Sequence, residues 1–274
     1  MDTIEQYEFD RQGYIIIPNM LDQEAVAELA SAVDSLEQHA LEHLDLPPRK
    51  ESIWGPNYHR SPDKGYHAWG SNKAGETLMI EDFFNADPAF DRLVDHERTM
   101  QYIKTIVQGP QRINNSEIRI RYQGNATGTH MGGPIDHKYR YSFNQKGIDC
   151  MMVRMIYFLQ NVSCEQGAFC VVPGTHKTNY SSPYRCSPEE EPGMIGLEVR
   201  AGDAILFTEN LRHGGLPNHS EQVRKTLHVG YGPVWMMSQN IATMDEPQYI
   251  TEETLARYSE AQRRLFVLGK QSGK

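Results

Sequence analysis

The sequence lacks the features that would place it in a membrane or on a nucleic acid. No apolar run approaches the roughly 20 residues that a transmembrane helix requires. Basic residues are in the minority, since 36 acidic residues outweigh 27 basic ones and the formal net charge is −9. Charges of both signs are interspersed, so no basic stripe exists to meet phosphates. Neither a nucleic acid nor a membrane is therefore an expected partner.

Cysteine is also scarce. The four cysteines are scattered without a CxxC pair, and three lie on or beside apolar runs, where a free cysteine behaves as a small hydrophobic residue. A disulfide framework is therefore not expected in a chain of 274 residues. The first fourteen residues are polar and acidic and do not resemble a signal or transit peptide, so a cytoplasmic protein is expected.

Helical patterns occupy both ends of the chain. Residues 1–110 are predicted to be mostly helical, apart from one strand in the apolar segment 13–18. The predicted helices cover residues 22–44 with Asp22 as N-cap, residues 88–96, residues 98–108 and residues 252–268.

From residue 112 the hydrophobic pattern changes to the alternation and short apolar runs of β-strands. The runs are bounded by Gly, Pro and Asn, which favour turns. They cover residues 113–122, 151–159, 169–173, 204–207 and 226–231. This order of elements predicts an α+β fold with a mainly β core over about 112–236, as a barrel or sandwich with helices on one face. Neither a repeat nor a linker divides the chain, so one domain over residues 1–274 is expected.

Residues 45–76 form a polar, aromatic-rich segment without periodicity. The segment contains Trp54 and Trp69 together with several tyrosines and histidines. Connections of this length are often lids or binding loops, and the aromatic density favours an ordered one. The segment is therefore predicted to be a loop and is a candidate lid over a site.

Two histidines near predicted strand ends suggest a metal site. Both His130 and His213 are followed closely by glycines, which let another group approach. Eleven residues after His213, Arg224 opens the last predicted strand, where its guanidinium could hold a carboxylate through two parallel hydrogen bonds. Two imidazoles beside a carboxylate clamp suit an open-coordinated Fe(II) ion. Each residue alone is more often structural, so the interpretation depends on their order and surroundings.

The surroundings of these residues resemble the phytanoyl-CoA dioxygenase-like family of Fe(II)/2-oxoglutarate oxygenases. The resemblance is densest over residues 130–233, where His213 and Arg224 follow three matching segments. These segments are YFLQNVS at 157–163, VVPGTHK at 171–177 and AGDAILF at 201–207.

The resemblance implies a double-stranded β-helix, a cupin-like jelly roll, with N-terminal and C-terminal helices outside it. Position by position, His130 and His213 match the two metal histidines, and Arg224 matches the arginine that pairs with the distal carboxylate of 2-oxoglutarate. The implied cofactors are Fe(II), 2-oxoglutarate and O₂. The implied activity is that of a dioxygenase, which oxidises a C–H bond while 2-oxoglutarate is decarboxylated to succinate. His176 and Lys177 match recurrent family positions and are expected to be structural.

The sequence departs from the family at one metal position. The family motif is His-x-Asp/Glu, whose acid completes the metal triad, whereas the third residue here is Gly132. In one hypothesis Asp136, four residues further along, folds back to supply the carboxylate, and the protein is a hydroxylase. In a second, Gly132 leaves a position open for a halide, as in the related halogenases, and chloride is required. In a third, the jelly roll binds a small molecule without iron.

Residues near the metal would select a small-molecule substrate. The basic and aromatic cluster at 138–141 could bind an anionic substrate such as a carboxylate or phosphate, although a solvated loop is the simpler interpretation. No Gly-x-Ser-x-Gly elbow is present, which disfavours a serine hydrolase. The candidate substrate contacts are Arg121, Tyr122, Lys138, Arg140 and Trp235.

Overall fold

Within the residues that the structure describes, the chain forms two antiparallel sheets that pack face to face, a separate hairpin, and helices outside them. The computed structural model describes residues 1–53, 55–132, 138–243 and 249–266. The strands are β1 (Tyr14–Ile17), β2 (Arg49–Lys50), β3 (Tyr58–Arg60), β4 (His67–Gly70), β5 (Thr77–Glu81), β6 (Gln111–Arg121), β7 (Thr127–His130), β8 (Tyr141–Asn144), β9 (Gly147–Cys150), β10 (Val153–Phe158), β11 (Phe169–Val172), β12 (Ile195–Gly196), β13 (Ala204–Thr208), β14 (Arg212–Gly215) and β15 (Arg224–Pro233). The helices are α1 (Thr3–Gln12), α2 (Gln23–His43), α3 (Glu97–Ile106), α4 (Glu252–Arg257) and α5 (Glu260–Arg263). Short 3₁₀ turns cover Phe83–Asn85, Pro88–Leu93, Thr175–Lys177 and Pro188–Glu190.

The large sheet has the strand order β1-β13-β10-β15-β6-β5-β4-β3-β2, and the small sheet has the order β12-β11-β14-β7. Every strand pair in both sheets is antiparallel. The mainly β core expected from residue 112 onward is therefore confirmed. None of the helices in the described ranges is both long and apolar enough to cross a membrane.

The two faces of the large sheet pack against different partners, as the alternation of side chains along a strand requires. On β15, Leu227 and Val229 belong to the larger hydrophobic cluster, which also contains Leu29 and Val33 of α2. Their neighbours on β15 point the other way, and His228 borders a cavity between the sheets. The helices thus cover the outer face, and the inner face is left to form a site.

The predicted helix at residues 22–44 is confirmed. The carboxylate of Asp22 accepts a hydrogen bond from the backbone N–H of Ala25 and caps α2. The predicted strand at residues 13–18 is also confirmed as β1, which pairs with β13. Because the cap and the apolar face of α2 are encoded within one short segment, local sequence was sufficient to locate them.

The expectation of a loop at residues 45–76 was wrong. This segment contributes β2, β3 and β4, which continue the large sheet beyond β5. These strands have two to four residues each, too few to show a period, and they are stabilised by contacts with distant residues. In one such contact His67 Nδ1 lies 2.8 Å from Asp82 Oδ2, with both side chains fully buried. Trp54 lies outside the described residues.

Two predicted helices also differ from the structure. The segment predicted at 88–96 is a 3₁₀ turn, and the predicted C-terminal helix is two short helices, α4 and α5. The break between α4 and α5 occurs because Tyr258 is extended and Ser259 starts a new capping box with Gln262. The N-terminal part is thus a mixture of helices and strands rather than mostly helical.

His176 has a structural environment, as expected. Its buried ring packs against Tyr141 with 4.7 Å between ring centroids, and its Nε2 donates to the carbonyl of Asp10 at 3.1 Å. Burial, assisted by the charge of Lys177, lowers the pKa of His176 to about 4. The ring is therefore neutral in the folded protein at pH 6.5, where an unfolded chain is already half protonated.

This depressed pKa makes His176 a source of acid sensitivity. The unfolded chain takes up a proton at this histidine near pH 6.5, but the folded protein does so only near pH 4. The free energy of unfolding is therefore highest above pH 6.5 and declines as the pH falls towards 4. The expected loss between pH 7 and pH 4 is about 3 kcal/mol. Urea unfolding of the native protein and of His176→Asn at several pH values would measure it. Parallel stability curves for the two proteins would contradict the assignment.

Candidate metal centre

The two histidines singled out in the sequence lie side by side on the small sheet. His130 of β7 and His213 of β14 are direct partners in an antiparallel pair, and their ring centroids are 4.2 Å apart. In each ring Nδ1 donates to a backbone carbonyl two residues earlier, at 2.9 Å to Gly128 and 2.7 Å to Leu211. Because a carbonyl can only accept, the proton is on Nδ1, and both Nε2 lone pairs are available for a metal.

The protein environment keeps these imidazoles in the form that binds metals. His213 is buried between Phe169 and Phe207, with ring centroids 5.5 and 4.8 Å away. Burial lowers the pKa of His130, and burial together with the nearby His130 lowers the pKa of His213 well below 6.5. Both rings are therefore neutral at neutral pH, as metal ligation requires.

The third residue of the family's metal-binding motif, Gly132, provides no side-chain ligand in this protein. Gly132 has a left-handed backbone with φ of 77°, which favours glycine, and its N–H donates to the carbonyl of Glu209 at 2.7 Å. Asp136, the carboxylate considered in the sequence analysis, lies outside the described residues. Among the residues that the structure describes, no three His, Cys, Asp or Glu side chains are already placed to hold a metal ion.

Two buried arginines lie near the histidines on the inner face of the large sheet. Arg224 at the start of β15 is the direct strand partner of Arg121 at the end of β6. Arg224 Nη1 donates to the carbonyl of Gly167, but its Nε has no partner, and neither Nε nor Nη1 of Arg121 has one. Within the described part of the chain neither guanidinium forms an ion pair with a carboxylate. Burial lowers the pKa of both, that of Arg224 to about 10.

Gly215 connects the arginines to the histidines. It lies two residues after His213 on β14, and a Cβ at this position would overlap Nη1 of Arg121. The absence of a side chain at residue 215 is thus what lets the guanidinium reach the small sheet. The glycines after His213 were expected to permit such a close approach, and at Gly215 the structure confirms it. Two buried guanidinium groups on the inner face, with no carboxylate partner among the described residues, suit a buried dianion.

A cavity of about 400 Å³ lies between the sheets beside the two histidines. A second hollow of about 270 Å³ shares Arg119, Thr127 and Ile241 with it and extends to Trp69 of β4 and to Arg121. The indole Nε1–H of Trp69 is buried and has no hydrogen-bond partner. The first cavity is lined by Arg119, Thr127, His130, Arg154, Phe169, Phe207, Glu209, His213, His228 and Ile241.

An ionic network forms one wall of the cavity. Arg154 lies between two buried carboxylates: its Nη1 is 3.1 Å from Glu117 Oε1, and its Nε forms an ion pair with Oε1 of Glu209. Arg119 also pairs with Glu117, at 2.6 Å. Burial alone would raise the pKa of Glu117, but the two arginines outweigh it and lower this pKa to about 2. Glu117 is therefore ionised, and Arg154 links it to Glu209 in the cavity wall.

Most of the expected substrate contacts lie away from this cavity. Tyr122 faces α2, where its hydroxyl donates to Glu37 at 2.7 Å, and Arg140 pairs with Asp149 at 3.0 Å beside the hairpin of β8 and β9. Lys138 and Trp235 are exposed. Only Arg121 points inward, and it lies beside Arg224 rather than among the residues that line the larger cavity.

Three residues of the cavity wall were not predicted from the sequence, namely Arg154, His228 and Glu209. A charged residue within the apolar run of β10, and a histidine within that of β15, were signals of a polar interior, because an unpaired charge is costly in an apolar core. Glu209 had a weaker signal. It follows a predicted strand and precedes His213 by four residues, but nothing local showed that it faces the cavity.

The fold and the site together define a class of protein. We call Arg121 and Arg224 together the arginine cradle. A jelly roll with two facing histidines and such a cradle in its interior is the framework of a metal-dependent oxygenase. Residues 9–226 match the family model described as phytanoyl-CoA dioxygenase (PhyH), and the chain therefore belongs to this family.

Comparisons with individual proteins agree with this class. The dioxygenase olcK of Penicillium canescens is 26% identical over 258 residues, which cover 92% of this chain and 76% of that protein. The structure of HygX from Streptomyces hygroscopicus with nickel and 2-oxoglutarate bound has a TM-score of 0.66 at 22% identity, over 87% of this chain and 89% of that one. The α-ketoglutarate-dependent epimerase SnoN from nogalamycin biosynthesis has a TM-score of 0.58 at 20% identity, over 84% and 82%. The likenesses confirm the jelly-roll fold.

Proposed function

We propose that this protein is a non-haem Fe(II)/2-oxoglutarate-dependent oxygenase that oxidises a C–H bond of a small organic substrate, with decarboxylation of 2-oxoglutarate to succinate. One observation carries the proposal: two histidines with available Nε2 atoms lie between the same two sheets as two buried guanidinium groups that have no carboxylate partner within the described residues. A metal cation and a dianionic co-substrate are the complementary pair for these groups. The solved HygX structure with nickel and 2-oxoglutarate supports the same pairing of cofactors.

The residues divide the work between them. His130 and His213 would hold Fe(II), and Arg224 with Arg121 would hold the distal carboxylate of 2-oxoglutarate. Fe(II), 2-oxoglutarate and O₂ supply the oxidising chemistry when they are bound. Phe169 packs against His213 and keeps water from that side of the centre.

The substrate would enter through the hollow next to Trp69. The free indole N–H of Trp69 favours a substrate that carries a hydrogen-bond acceptor, and Arg119 adds positive charge where the two cavities meet. A further HygX structure contains hygromycin B, and a SnoN complex contains nogalamycin RO. These complexes support a small organic molecule as the substrate class. The basic cluster at residues 138–141 was expected to bind an anionic substrate. Lys138 and Arg140 are exposed and do not line the cavity, so this cluster does not support an anionic substrate there.

The first test is an anaerobic titration of the metal-free protein with Fe(II) and 2-oxoglutarate, followed by visible absorption. We expect a metal-to-ligand charge-transfer band that requires both additions, because chelation of Fe(II) by the keto acid depends on the histidines and the arginines together. Chloride is expected to leave the band unchanged, since neither the described site residues nor the similar structures support a halide.

Two results would contradict the proposal. A folded protein that gives no band would indicate a jelly roll used only for binding. A band that shifts with chloride would indicate a halogenase, with the position at Gly132 open to the halide.

A further inference from the structure

Gly132 stands where the family carries its metal-binding acid, and the backbone next to it belongs to Glu209. The N–H of Gly132 donates to the carbonyl of Glu209 at 2.7 Å. Glu209 follows β13 directly, and its side chain lines the cavity between the sheets together with His130 and His213. The end of β7 thus lacks a carboxylate, but the neighbouring segment after β13 places the carboxylate of Glu209 in the same cavity.

The carboxylate of Glu209 is oriented towards the histidines. Its Oε1 is held by the guanidinium of Arg154, and its Oε2 lies 3.9 Å from Nε2 of His213. The side chain of Glu209 is 3% exposed and that of His213 is 5% exposed, so water competes little for the free oxygen. An arginine on one carboxylate oxygen is the kind of supporting contact that orients a metal ligand.

We propose that Glu209 supplies the carboxylate ligand of the metal in place of the acid that Gly132 lacks. The proposal rests on the proposed function, because it assumes that His130 and His213 bind the metal. Two ligands at right angles with metal bonds of about 2.1 Å are separated by roughly 3 Å. The present 3.9 Å separation between Glu209 Oε2 and His213 Nε2 therefore requires a small rotation of the Glu209 side chain before both can bind one metal ion.

This assignment has a consequence for the reaction. With Glu209 bound, the protein would give the metal two nitrogens and one carboxylate oxygen, and Glu209 would fill the position that glycine at residue 132 leaves open for a halide. Two histidines and one carboxylate are the ligand set of an oxygenating iron centre. Here β7 and β14 would provide the histidines, and the turn after β13 would provide the carboxylate. The buried ions Arg154 and Glu117 then act as positioning residues for Glu209.

The test measures Co(II) binding to the metal-free, full-length protein without 2-oxoglutarate, by calorimetry and by the visible absorption of Co(II). Glu209→Gln is expected to weaken Co(II) binding by about 100-fold and to change the absorption, because a charged ligand is removed. Glu191→Gln is the matched control. Glu191 is also buried and paired with an arginine, Arg212, at 2.9 Å, but does not line the cavity. We expect it to bind Co(II) within about threefold of the native protein.

Two further variants make the result decisive. If Asp136→Asn loses Co(II) and Glu209→Gln retains it, the ligand is Asp136 and the proposal is overturned; unchanged affinity in both variants also overturns it. If Glu209→Gln does not fold, Glu209→Asp keeps the charge beside Arg154 but shortens its reach, and native-like Co(II) binding by it would count against the proposal. Failure of the proposed function itself is recognised separately, because the native protein would then bind neither Co(II) nor 2-oxoglutarate.

Discussion

Replacement of His213 with alanine is expected to abolish turnover of 2-oxoglutarate, with a loss of at least about 10³-fold. His213 is one of the two proposed nitrogen ligands on the small sheet, and its Nε2 is available because Nδ1 donates to the carbonyl of Leu211. Loss of one of the proposed protein ligands should leave a site that no longer retains Fe(II) at micromolar concentration. Succinate formation and Fe(II) binding, measured on the same preparation, would test the expectation.

The control for this variant is His219→Ala. His219 is six residues further along the chain, half exposed, and its Nε2 lies 3.3 Å from a carboxylate oxygen of Glu189. It is expected to behave like the native protein in both measurements. Retention of metal-dependent turnover by His213→Ala would remove His213 from the site, provided that the variant unfolds at the same urea concentration as the native protein.

Arg121→Met is expected to have two opposite effects. Arg121 is a buried guanidinium with no carboxylate partner in the described residues, and its pKa is lowered well below the usual value by burial and by Arg224. Removing this uncompensated charge should stabilise the cofactor-free protein by about 1–3 kcal/mol. The same change should weaken 2-oxoglutarate binding about 100-fold, since the dianion loses a charged partner. Urea unfolding and calorimetric titration with 2-oxoglutarate would measure the two effects.

Arg154→Met provides the matched comparison, because it is the same substitution at another buried arginine of the inner face. Arg154 forms ion pairs with both Glu117 and Glu209, so its removal leaves the buried Glu209 without its arginine and Glu117 with Arg119 alone. We expect it to destabilise the protein by about 3–5 kcal/mol. If Arg121→Met destabilises the protein to the same extent, Arg121 has a structural role, and the arginine cradle must be reconsidered.

Much of the candidate metal centre could be predicted because its residues occur in short motifs that follow one another in a fixed order. His130, His213 and Arg224 were identified by their order and by the segments between them, and the structure places all three in or beside one interior. Five strands of the core, β6, β10, β11, β13 and β15, were predicted because each contains an apolar run long enough to show its pattern. Helix α2 was predicted from Asp22 and from its apolar face, both of which lie within a single segment.

The remaining features were missed because they depend on contacts between distant residues. The strands β2 to β4 are too short to show a period, and they exist because β5 offers them a sheet edge. Arg121 was expected to contact substrate. Its own segment does not show that it lies beside Arg224 on the neighbouring strand. Tyr122, the next residue, points to the opposite face, because side chains alternate along a strand.

The sequence by itself determined the family and the jelly-roll fold, and it indicated the two histidines and Arg224 as candidate site residues. Only the tertiary structure decided which charges share the interior. It paired Gly132 with Glu209 across 77 residues, brought Arg121 against Gly215, and placed Arg154 between two carboxylates. The physical reason is that strand pairing and strand direction fix the face on which each side chain lies, and neither can be obtained from residue type or from spacing along the chain.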